Sequence, residues 1–123
     1  MTTIYKRMKR KNTVLQSLIH RLLNQSKEDN IPLWKAVAEY LSKPARNQPQ
    51  KNIVELDKQG SEDEILVVPG KVLGIGRTSK SLTVVAYKFS NSAKKHLEEN
   101  GQTMTIEEAL DEYPKAKNMR LLA

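Results

Sequence analysis

Val14, Leu15, Leu18, Ile19, Leu22 and Leu23 recur at i, i+1, i+4, i+5, i+8 and i+9, a spacing that predicts a helix with one apolar stripe. Asn12 or Thr13 is its N-cap, and the polar run from Asn24 to Asn30 predicts fraying at its end. Pro32 suits a first helical position, and Trp34, Val37, Ala38 and Leu41 then follow on one face until Pro44 stops the helix. Two helices joined by a short polar link form a hairpin. At that spacing Trp34 reads as a core anchor rather than a ring presented to a base.

After the hairpin the pattern loses its helical period. Residues 43–51 hold two prolines, three cations and no apolar side chain larger than Ala, which predicts an extended polar connection. Asn52 caps a short helix through Ile53, Val54 and Leu56, ended by Gly60. Ile65 to Val68 is a buried-strand run, Pro69-Gly70 a turn signal, and Val72-Leu73 a second short strand entering a Gly74-Ile75-Gly76 loop. Leu82 to Tyr87 is a third strand, and Ser90 caps a helix that reaches a left-handed stop at Asn100-Gly101. Thr103-Met104 is a short strand, Thr105 to Glu108 a capping box opening a helix that ends near Tyr113-Pro114, and Met119 to Leu122 a last strand.

Composition sharpens this picture once the charge is located. The chain has 123 residues, 21 Lys+Arg and 14 Asp+Glu, for a formal net charge of +7. Residues 1–51 carry 11 basic and 3 acidic side chains, residues 71–97 carry 6 basic and no acidic ones, and residues 98–112 carry 6 acidic and no basic ones. Two cationic blocks repel themselves unless they meet a polyanion, and a phosphate backbone is the commonest one. Residues 1–11, with Lys6, Arg7, Lys9, Arg10 and Lys11, read as an extended basic arm that does not fold alone. There is no Cys for a disulfide, a thiolate metal site or a Cys nucleophile. The longest apolar run, Ile65 to Pro69, is far short of the ~20 residues that span a bilayer, and no apolar segment follows the basic start. These features point to a soluble chain without a signal peptide and without membrane contact.

Enzymatic readings fail on spacing. A phosphate loop needs a glycine five positions before Gly76, where Lys71 stands, and a dinucleotide fingerprint needs a third glycine where Ser79 stands. What remains is Gly70, Gly74 and Gly76 beside Lys71, Arg77 and Lys80, equally consistent with a backbone phosphate contact and with an ordinary tight turn. His20 and His96 lack a third ligand, and the carboxylates Glu107 and Glu108 lie at a helix start, where the helix dipole favours anions. The residues therefore point to no catalytic site, no metal, no cofactor and no small-molecule substrate.

Four segments carry a family resemblance: Leu33 to Pro44, Val67-Val-Pro-Gly-Lys-Val-Leu-Gly74, Thr83 to Ser90, and Lys115 to Leu122. Together they resemble the eighteen-e family of archaeal and eukaryotic large-subunit ribosomal proteins, related to bacterial large-subunit protein fifteen, over residues 12–122. Ala116 stands where that family usually has Gly, and the arm before Asn12 is not a family signature. The resemblance implies an α+β fold, an N-terminal helical hairpin followed by irregular strand–strand–helix turns, in one domain of residues 12–123 (hairpin 12–42, connection 43–51, strand and helix core 52–123). It implies a non-enzymatic constituent of the large ribosomal subunit, in the cytoplasm of an archaeon, that binds large-subunit rRNA and neighbouring ribosomal proteins in support of translation. The RNA contacts expected from charge are Lys6, Arg7, Lys9, Arg10 and Lys11 in the arm, Lys43, Arg46 and Lys51 in the connection, and Lys71, Arg77, Lys80, Lys88, Lys94 and Lys95 around the glycine loop. The acidic helix is expected to face solvent or a basic neighbour. A DNA-architectural protein is the alternative that charge alone leaves open.

Overall fold

The computed structural model describes Ile4, Lys6, Arg7 and residues 11–123. Helix α1 runs Thr13–Asp29 and α2 runs Pro32–Ser42. Asn12 accepts from the Leu15 N–H at 2.9 Å, as its position before the apolar stripe predicts. The predicted fraying does not occur. Asn30 takes a left-handed conformation (φ 53°) and the Ile31 N–H donates to Ser26 O, so the polar stretch closes the helix through a C-terminal cap instead of melting it. The link to α2 is thereby only Asn30-Ile31, and the two helices lie antiparallel.

The stripe buries Leu15, Leu18, Ile19, Leu22 and Leu23, while Val14 stays 71% exposed. Trp34 is fully buried and donates its indole N–H to Pro114 O at 2.8 Å, so it is the core anchor that the spacing implied. The N-terminal segment departs from the extended arm expected. Ile4, Lys6 and Arg7 are helical, and Ile4 is 5% exposed in the same cluster as α1 and α2. One buried isoleucine supplies the apolar anchor that counting charges overlooked. Lys9 and Arg10 lie outside the described residues.

Beyond a 3-10 turn at Ala45–Asn47, the chain builds a wholly parallel sheet: β1 Gln50–Asn52, β2 Ile65–Leu73, β3 Thr83–Phe89, β4 Gln102–Thr105 and β5 Met119–Leu121. The order is β1-β2-β3-β4, with β5 pairing the first half of β2 (Ile65↔Met119) and β1 pairing its second half (Gln50↔Lys71). Helices α3 (Ile53–Gln59), α4 (Asn91–Asn100) and α5 (Ile106–Glu112) connect the strands. Val67, Val85 and Met104 face α1, α2 and α5, whereas Leu66, Val68, Val72, Val84 and Ala86 face α3 and α4. Both faces are covered, which is the arrangement a parallel sheet requires.

Two turn signals mislead. Pro69-Gly70 does not divide two strands but lies inside the continuous β2, where the pairing shifts between Val68 and Lys71. Proline cannot donate to the ladder, and a bulge tolerates that loss. Gly70 is there for room: a Cβ would sit 2.0 Å from Pro49 O, which accepts the Lys71 N–H at 3.1 Å. Gly101 is extended (φ −141°), not left-handed; a Cβ on it would sit 2.1 Å from Leu82 O. The capping box at Thr105 and Glu108 forms as its spacing predicts, with both reciprocal bonds at 3.2 Å. Ala116, in the family's glycine position, keeps the left-handed backbone, with φ 54°.

Candidate nucleic-acid interface

The hairpin brings the start of α1 and the end of α2 together at the end of the molecule where β1, β2 and β3 finish. The Lys11 ammonium donates to Lys43 O at 2.8 Å, fastening the two helix ends. Arg7 and Lys11 share a cleft with Ser42 and Pro44. Gln48 then donates its amide to Leu41 O and Lys43 O (3.3 and 3.1 Å), which folds the connection back over the end of α2 and delivers it to β1. Arg46 is exposed on the 3-10 turn between them.

A second cleft, about 300 Å³, continues from there across the strand ends, lined by Gln48, Pro49, Gln50, Lys71, Tyr87 and Lys88 beside Gly70. Lys71 and Lys88 are paired positions on neighbouring strands, and both are exposed. Like charges opposite one another in a sheet destabilise it, so the pair opposes folding by itself. Among the described residues no carboxylate lines either cleft. The Lys88 ammonium lies 5.6 Å from the centroid of the Tyr87 ring, and that of Lys43 lies 4.6 Å from the Tyr40 ring.

The other cations named from the sequence are placed differently. Lys6 is exposed on the helical N-terminal segment. Lys51 pairs with Glu55 at 3.7 Å on the α3 side. Lys80 donates its ammonium to Asp57 O (2.6 Å) and Gly60 O (3.2 Å), and Thr78 bonds the Asp57 carboxylate at 2.6 Å. Those bonds, with Val54 N–H to Ile75 O at 3.0 Å, lay the glycine loop against α3. Gly74 and Gly76 back onto Ser92 and Val54, the close packing of a turn. Arg77 is exposed beside Asp57 and Asn100. Lys94 sits in a groove with Glu98 and Glu108, and Lys95 is exposed on α4.

From the charge-based set, Arg7, Lys11, Lys43 and Arg46 therefore fall at one end and lead to Lys71 and Lys88. Tyr87, Gln48 and Gln50 belong to that surface and carry no charge to announce them. The sequence signal they left was the Tyr87-Lys88 pair closing a strand. Asp111 binds Arg21 at 2.7 Å on the α5 side, away from the second cleft. Among the described residues no group of three His, Cys, Asp or Glu is arranged to hold a metal, and no helix is long and apolar enough to cross a membrane.

Comparison with known proteins bears on what this surface meets. The chain is 44% identical to a large ribosomal subunit protein eL18 of Sulfurisphaera tokodaii over 90% of its own length and 92% of that protein. It is 42% identical to the eL18 of Archaeoglobus fulgidus (94% and 99% covered) and 38% identical to that of Methanococcus maripaludis (91% and 94% covered). Residues 14–105 match the family described as ribosomal proteins 50S-L15 and 50S-L18e with their 60S counterpart. The chain belongs to this family of large-subunit ribosomal proteins, which is not a family of enzymes.

Proposed function

We propose that the protein is a structural constituent of the large ribosomal subunit that binds and stabilises folded large-subunit rRNA with the strand-end surface. The observation that carries this reading is the gathering of Arg7, Lys11, Lys43, Arg46, Lys71 and Lys88 around two clefts that, among the described residues, no carboxylate lines. The similar archaeal proteins are named as large-subunit proteins, which supports the same partner and a cytoplasmic place in the ribosome. Contacts to phosphate and 2′-OH groups read the shape of RNA more than its sequence. Lys6, Arg77 and Lys95, exposed elsewhere, add to the long-range attraction. Glu107 and Glu112, exposed on α5, suit a basic neighbouring ribosomal protein.

Sedimentation tests this. The protein is expected to stay with large ribosomal subunits through a high-salt wash and to prefer a folded large-subunit rRNA fragment over duplex DNA. Release in the wash together with equal binding to duplex DNA would favour a DNA-architectural role.

A further inference from the structure

The second cleft has features that phosphate binding alone does not require. It is a recess with an aromatic wall, Tyr87, and an imide wall, Pro49, and it holds two primary amides, Gln48 and Gln50. The Gln48 Nε2 is committed to Leu41 O and Lys43 O, which fixes the side chain and leaves its Oε1 as a positioned acceptor. Gln50 is exposed and offers both a donor and an acceptor. A flat aromatic face, amides that pair with base edges, and cations that hold phosphates are together the requirements for seating a nucleobase. The volume, about 300 Å³, falls at the small end of ligand pockets, roughly 300–1,000 Å³. The cleft also lies at the carboxyl ends of parallel strands, where open sheets bind ligands.

We infer that this cleft seats one unstacked nucleotide of a bulged or single-stranded RNA segment. The base lies against Tyr87 with its edge toward Gln48 and Gln50, and the flanking phosphates lie on Lys71 and Lys88. The inference rests on the rRNA-binding reading and adds to it a nucleotide out of the stack, at a defined place. It also gives the Lys71-Lys88 pair a reason: two phosphates offset a repulsion that no carboxylate among the described lining residues offsets.

The test uses the full chain, a short oligouridylate, and an abasic RNA of the same length, followed by fluorescence anisotropy and by amide chemical shifts. The base-bearing RNA is expected to bind about 5- to 150-fold tighter than the abasic one, as stacking of one base on an aromatic ring provides. Shifts are expected at Gln50, Lys71, Tyr87 and Lys88. Tyr87→Leu keeps apolar bulk against the hairpin core and is expected to abolish the difference between the two RNAs, while Tyr87→Phe preserves it. Equal affinity for both RNAs, or shifts elsewhere only, overturns the nucleotide seat; if a folded rRNA fragment still binds with steep salt dependence, the rRNA reading survives. Loss of both kinds of binding overturns both. Should Tyr87→Leu not fold, the wild-type comparison of the two RNAs decides alone.

Discussion

Lys71 and Lys80 stand nine positions apart in one acid-free block, and a charge count treats them alike. Lys71 is exposed on β2 beside another lysine, in a cleft free of carboxylates among the described residues. Lys80 is half-buried with its ammonium on two carbonyls at the end of α3, where a cation also complements the helix dipole. One lysine opposes the fold and is available to a partner; the other serves the fold. What separates them is the company the sheet provides, so a basic run marks a surface only after internal bonds have claimed their share.

Substitutions can break or sharpen that contrast. Gly70→Ala is expected to have the largest effect: the added methyl meets backbone Pro49 O, so β1 must move. A loss of about 1–3 kcal/mol in denaturant unfolding, with weaker RNA binding because Gln50 and Lys71 lose register, is the expected result. Lys80→Met removes two charge-assisted bonds from a half-buried site, and calorimetry is expected to show about 1–2 kcal/mol of destabilisation. The salt dependence of its RNA binding should match wild type. Ala116→Gly relieves a left-handed alanine and should raise stability by about 0.5–1 kcal/mol after allowing for the freer unfolded chain, again with RNA binding unchanged. Arg21→Ala breaks an ion pair whose side chains are 48% and 69% exposed. Its expected cost is only a few tenths of a kcal/mol, measurable as a small shift in midpoint.

The fold was legible where local periodicity and capping decide it. The hairpin, the buried Trp34, the α3 and α5 boundaries and the Thr105 capping box all follow from spacing within one turn or two. It was illegible where a distant segment decides. Pro69-Gly70 reads as a turn, yet Pro49 and the neighbouring strands hold it inside β2. Gly101 reads as a helix stop, yet the approach of Leu82 requires it. The site divides in the same way: the cationic blocks are visible in the sequence, but pairing Lys71 with Lys88 depends on strand register and seating Lys80 depends on where α3 ends. Tyr87 and Gln48 gave no charge signal at all.

The salt dependence of binding to a folded large-subunit rRNA fragment tests the central claim most directly, comparing wild type with Lys71→Ala/Lys88→Ala and with Lys51→Ala/Lys80→Met. Each lost phosphate contact lowers the slope of log affinity against log salt by about 0.7–0.9, so the strand-end double variant should lose about 1.5–2 in slope. The second double variant should keep the wild-type slope. An unchanged slope on removing Lys71 and Lys88, or an equal loss on removing Lys51 and Lys80, would contradict the account.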